Sequence, residues 1–161
     1  MIKERKRVRL ENYNYSKAGF YFLTLCIKDK EKILCEIVGD GALDVPKVIL
    51  SKEGKIVEKY ILTTNKIEGV LVEKYVIMPN HIHLLIKIEK EEGTSRAPSP
   101  TNEKIPHLVS SFKRFVNKEA GKNLFQRSYI DHIIRNEEDY INHLKYIDDN
   151  IFKWQEDLYF I

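Results

Sequence analysis

The stretch Tyr75–Ile86, YVIMPNHIHLLI, sets two histidines one residue apart inside an apolar run. In an extended strand, side chains alternate between the two faces. Ile82, Leu84, Ile86 and Ile88 therefore share one face, an unbroken apolar stripe that belongs against a core. His81 and His83 fall together on the other face, ahead of Leu85 and Lys87, with Cβ atoms about 7 Å apart. Burying an imidazole costs free energy unless something binds it. Two imidazole nitrogens at this spacing can reach one metal ion at about 2.0–2.2 Å. The strand thus predicts a sheet with its main core on one side and a candidate metal site on the other. A divalent site needs further ligands, which the rest of the chain has to supply.

Outward from this strand, GVLVEKYVIM reads as its neighbour, joined through Pro79 and Asn80. FYFLTLCIK (Phe20 to Lys28) has the aromatic and apolar content of a central strand. ILCEIVGDGALDVPKV reads as two short strands about the turn at Gly39, Asp40 and Gly41. A helix follows, with Ile56, Val57, Tyr60 and Ile61 on one face and Gly54 as a weak point early in it. IPHLVSSFKRFVNKEAG is an amphipathic helix stopped by Gly121. LFQRSYIDHIIR reads as a short extended piece, and Asn136 sits where the N-cap of a last helix belongs. The order predicts one α+β domain over residues 1–161. It is an antiparallel sandwich of the ferredoxin-like kind, with a central four- to five-stranded sheet, helices on one face and a C-terminal helix at about 137–151. The polar Pro/Ser/Gly segment at about 90–103 reads as a mobile loop.

Composition places limits on function. The 161 residues are 43% apolar and 32% charged, an ordinary globular balance. No apolar run approaches the roughly 20 residues that span a bilayer. MIKERKRVRL lacks the apolar centre of a signal peptide, and Cys26 and Cys35 form no CxxC pair, so reduced thiols and a cytoplasmic location are expected. Net charge is only +3, but Lys3, Arg5, Lys6, Arg7 and Arg9 form a basic arm over residues 1–9, and Lys113, Arg114, Lys118 and Lys122 cluster near one helix. Such clusters attract phosphates, and they also occur as plain solvated surface.

The last helix supplies the missing chemistry. At about 100° per residue, Tyr140, Ile141, Leu144, Ile147 and Ile151 form a stripe expected to face the core. Tyr146 lies outside it, with Asn150 one turn on and His143 one turn before. A tyrosine, an amide and a histidine thus line a second face, which matters only if this helix packs beside His81 and His83.

MPNHIHLLI resembles the histidine–hydrophobe–histidine motif of the HUH single-strand transposases that use one tyrosine. FQRSYIDHIIRNEEDY followed by YIDDN resembles the REP-associated tyrosine transposases, relatives of the insertion-sequence-200-type transposases. The likeness runs from the arm to YIDDNIFKW. It implies that His81 and His83 hold a divalent metal, Mg2+ or Mn2+, that Tyr146 is the nucleophile, and that Asn150 is the third ligand. Many relatives carry glutamine there, so this helix must sit closer to the ion. It further implies cleavage of single-stranded hairpin DNA through a 5′-phosphotyrosine, by a monomer or homodimer. Arg5, Lys6, Arg7, Lys113, Arg114, Arg127 and Arg135 are then candidate DNA contacts, and Tyr13 and Tyr15 candidate stacking residues. His143 and Lys145 are candidates for activating the tyrosine. Two other readings stay open: a non-cleaving single-stranded nucleic-acid-binding protein on the same scaffold, and a small metal-dependent hydrolase in which Tyr146 is structural.

Overall fold

The run GFYFLTLC forms β1 (Gly19–Cys26), an inner strand of the sheet, as its aromatic and β-branched content suggests. In the computed structural model, which describes residues 19–39, 45–89 and 104–154, the chain continues through β2 (Cys35–Val38), β3 (Lys47–Leu50) and α1 (Lys52–Thr64). Then come β4 (Val70–Ile77), β5 (His81–Ile88), α2 (Lys104–Ala120), β6 (Ile130–Ile133) and α3 (Glu137–Asp149). The basic arm, Tyr13, Tyr15 and the 90–103 segment lie outside the described residues.

The main sheet runs β4-β5-β1-β6, each neighbouring pair antiparallel. β5 sits between β1 and β4, and β1 sits between β5 and β6. With β2–β3 set aside as a separate ribbon, this is the β-α-β-β-α-β order of the ferredoxin-like sandwich. The expected four- to five-stranded sheet has four strands among the described residues, the fourth being the short piece before the last helix.

The starts of α1 and α3 are set by side-chain caps. Ser51 accepts from the Gly54 N–H, and its hydroxyl donates to the Ile33 and Leu34 carbonyls. Asn136 accepts from the Asp139 N–H, as its position predicts, with Glu137, Glu138 and Asp139 at the positive end of the helix dipole. Gly54 is not the weak point it resembles in sequence. A Cβ there would lie 2.0 Å from the Leu34 carbonyl oxygen. Only glycine lets the first turn of α1 touch the passing chain.

The alternation along β5 divides the core in two. Ile82, Leu84, Ile86 and Ile88 join Tyr21, Leu23 and Leu25 beneath α1 and α2. On the opposite face Phe22, Val76, Met78 and Leu85 pack against Ile147, with Tyr140, Leu144 and Ile151 at the margin. So α3 crosses the face that carries the histidines. One stripe residue departs from expectation: Ile141 is 53% exposed. The contact face of α3 includes His143 and Asn150, which rotates its centre about 100° or more away from Ile141. Tyr146 stands at the opposite border of that face.

Candidate active site

Strand pairing decides what surrounds the two histidines. Thr24 of β1 lies opposite His83, and Cys26 opposite His81. The Thr24 hydroxyl oxygen is 2.8 Å from His83 Nδ1, and Asn80 Oδ1 is 2.8 Å from His81 Nδ1. The two Nε2 atoms then meet at 3.1 Å. Both rings are buried. Burial brings His81 down to about 4, and burial together with the nearby His81 and His143 takes His83 well below its ordinary value, so both rings are neutral at physiological pH.

This hydrogen bonding suits two states. With the Thr24 O–H donating to His83 Nδ1, His83 Nε2–H donates to His81 Nε2. With the Thr24 oxygen accepting instead, both rings carry their protons on Nδ1 and turn Nε2 lone pairs toward a common point. The second state is the usual arrangement of metal-ligating histidines, whose other nitrogen is fixed by a neighbouring acceptor. In that state the two Nε2 atoms, 3.1 Å apart, would both be able to hold one divalent ion.

α3 of the same chain lies over this pair. The Tyr146 ring is 5.2 Å from the His83 ring and 5.9 Å from Phe22. Asn150, 3% exposed, donates from Nδ2 to the Tyr146 carbonyl at 2.9 Å. Its Oδ1 is buried with no hydrogen-bond partner among the described residues. An orphaned buried acceptor is costly, and a cation beside it removes the cost. His81, His83 and Asn150 thus offer two neutral nitrogens and a neutral amide oxygen, donors that would suit a divalent ion and leave it most of its charge. Trp154 closes the far side, 6.0 Å from the His81 ring with Lys32 Nζ 5.8 Å over the indole. The Lys74–Asp148 ion pair ties α3 to β4.

A second cluster, His132, Asp139 and His143, joins β6 to the start of α3. Its three candidate ligand atoms lie within 4.8 Å of one another, so it too could hold a metal. Its carboxylate is already engaged, however: Asp139 Oδ2 lies 2.8 Å from His132 Nε2 and accepts from the Arg135 N–H at 3.0 Å. Burial works against the Asp139 charge, but these bonds outweigh it and hold the carboxyl below its ordinary value. The His81–His83 pair and the Asn150 oxygen, which has no partner among the described residues, offer another set of candidate ligands. Sequence reading singled out His143 but passed over Asp139 as a mere first-turn acid; its i, i+4 spacing to His143 was the available signal.

The proposed DNA contacts are scattered. Arg114, Arg127 and Arg135 are exposed, with Arg114 5.2 Å over the Phe115 ring on the α1–α2 side. Lys113 Nζ donates to the Gln126 carbonyl at 2.7 Å and bridges to those of Arg127 and Ser128, bracing the segment before β6. Arg5, Lys6 and Arg7 lie outside the described residues.

A solved REP-associated tyrosine transposase, bound in that structure to a REP hairpin, shares this fold with a TM-score of 0.64. The match covers 90% of this chain and 73% of that one at 19% identity. The fold is thus that of the tyrosine transposases. The chain itself belongs to the IS200-like transposase family, whose family model matches residues 21–150. An uncharacterized protein of Haemophilus influenzae is 32% identical over 99% of this chain and 95% of its own length. A candidate REP-associated tyrosine transposase from the same organism is 25% identical over 86% of this chain and 74% of its own. Among the described residues, no helix is long and apolar enough to cross a membrane.

Proposed function

We propose that this transposase-family chain is a divalent-metal-dependent strand transferase on single-stranded hairpin DNA, with Tyr146 as nucleophile. The observation that carries the reading is the stacking of three chemistries in one chain: the Tyr146 ring against His83, the His81–His83 nitrogens 3.1 Å apart, and the orphaned Asn150 oxygen one turn beyond the tyrosine. His81 and His83, with Asn150, would hold Mg2+ or Mn2+. When bound, such an ion polarises a phosphate oxygen and offsets charge developing on the phosphoryl group.

The chain's own residues do the rest. Thr24 and Asn80 fix the imidazole planes through Nδ1. Phe22 and His83 limit where the Tyr146 ring can lie. The Tyr146 oxygen attacks phosphorus, a tyrosyl–phosphate bond forms, and the bond to the 3′ oxygen breaks. The bond energy is kept in the phosphotyrosine, so the step reverses when another 3′-hydroxyl attacks. Tyr146 is 44% exposed, which leaves room for a strand to approach.

The test is a labelled hairpin DNA incubated with the protein and Mn2+, then run on a denaturing gel. A covalent adduct lost in Tyr146→Phe and in His83→Ala supports the reading. Cleavage that persists in Tyr146→Phe without an adduct would point to the hydrolase, and binding without cleavage to the non-cleaving scaffold.

A further inference from the structure

We propose that His143 takes the proton from Tyr146 as it attacks, and that Asp139 is the positioning residue that holds His143 for this task. The inference rests on the nucleophilic role proposed for Tyr146.

His143 is held through one nitrogen. Its Nδ1 is 2.8 Å from the Asp139 carbonyl oxygen and 3.1 Å from Asp139 Oδ1, two acceptors on the same atom. In the neutral ring the proton therefore sits on Nδ1, and the lone pair belongs to Nε2. Asp139 is itself fixed from the other side by His132 and the Arg135 N–H. The His132 ring stacks on His143 at 4.6 Å and 16°, and Phe22 supports it at 4.6 Å. An imidazole with one nitrogen tied to a carboxylate, and the other without a partner among the described residues, is one arrangement that makes a hydroxyl nucleophilic.

The placement relative to Tyr146 follows from the helix. Side chains three apart are neighbours on a helix surface, about 5–6 Å between Cβ atoms. Both His143 and Tyr146 rest on the same Phe22 ring. The competing bases are worse placed. Lys145 adjoins Tyr146 in sequence, and successive side chains on a helix do not face each other. His81 and His83 spend their nitrogens on Asn80, Thr24 and each other.

The step balances without a co-reactant. As the tyrosyl oxygen–phosphorus bond forms, the phenol proton passes to His143 Nε2. As the phosphorus–O3′ bond breaks, the 3′ oxygen takes one proton, from the imidazolium or through water. Asp139 stabilises the imidazolium in between. The joining step runs the transfers backwards.

The experiment measures single-turnover adduct formation on saturating hairpin DNA with Mn2+, in wild type, His143→Gln, His143→Ala and Asp139→Asn. Glutamine keeps an N–H for Asp139, so the helix start should stay folded, and circular dichroism checks this. His143→Gln should slow the adduct about 100-fold and Asp139→Asn about tenfold, the range for a general base and its support, with DNA affinity unchanged. Added imidazole should restore part of the rate in His143→Ala and none in Asp139→Asn. A folded His143→Gln that forms adduct at nearly the wild-type rate overturns the proposal, as does a slow His143→Ala that imidazole leaves unchanged. A wild type that cleaves without any adduct removes the Tyr146 reading, and this proposal with it.

Discussion

Acid should destabilise this fold through His81 and His83 in a defined window. Burial sets His81 at about 4 instead of 6.5, and His83 moves in the same direction. A histidine depressed in this way binds fewer protons folded than unfolded. The unfolded chain therefore gains protons first as pH falls, and stability drops between about 6.5 and about 4. Above that window neither state is protonated and the pair has no pH effect. At 1.36 kcal/mol per pH step, His81 alone accounts for about 3 kcal/mol over the whole window and about 2 kcal/mol by pH 5. For a chain of this size, that lowers Tm by about 4–8 °C at pH 5. The comparison is with a variant carrying both His81→Gln and His83→Gln, which cannot protonate there. Urea unfolding from about pH 7.5 to about pH 5, followed by circular dichroism and by the single tryptophan, Trp154, measures both. Wild type should lose at least about 2 kcal/mol more than the variant by pH 5, since His83 adds to the His81 share. Equal losses would refute the neutral, buried pair. Protons and metal compete for the same nitrogens. Stabilisation by Mn2+, and quenching of Trp154 6.0 Å from His81, should therefore fade in the same window and be absent from the variant.

Three substitutions test the packing. Gly54→Ala drives a methyl against the Leu34 carbonyl and should cost about 2–3 kcal/mol, the upper range for overpacking; a thermal melt within 1–2 °C of wild type would show that the chain at Leu34 yields. Ile147→Ala should cost about 2–4 kcal/mol because Ile147 is buried under the sheet. Ile141→Ala should stay within about 0.5 kcal/mol; equal costs in urea titrations would mean that α3 is rotated from the position described.

Much of the architecture was legible because it is written in short periods. The alternation of β5 assigned its two faces, and Asn136 announced the start of α3, since both depend on residues within a turn or a pleat of one another. The pairing of His81 with His83 was legible for the same reason. Other features depend on residues far apart in the chain. Thr24 meets His83 across 59 positions of sequence, and only the β1–β5 register makes that contact. Gly54 reads as a helix weakness until Leu34 is brought against it. Ile141 fits the apolar stripe by angle, yet the sheet meets α3 on the His143–Asn150 side and leaves it in water. Asp139 meets His143 one turn along the same helix, but His132 joins them only when β6 pairs with β1 and α3 folds back over the sheet. The sequence by itself determined which candidate residues share a face on each element. The tertiary structure decided that α3 lies over the histidines of its own chain, because helix orientation and the Thr24 contact to His83 come from long-range packing that no local period encodes.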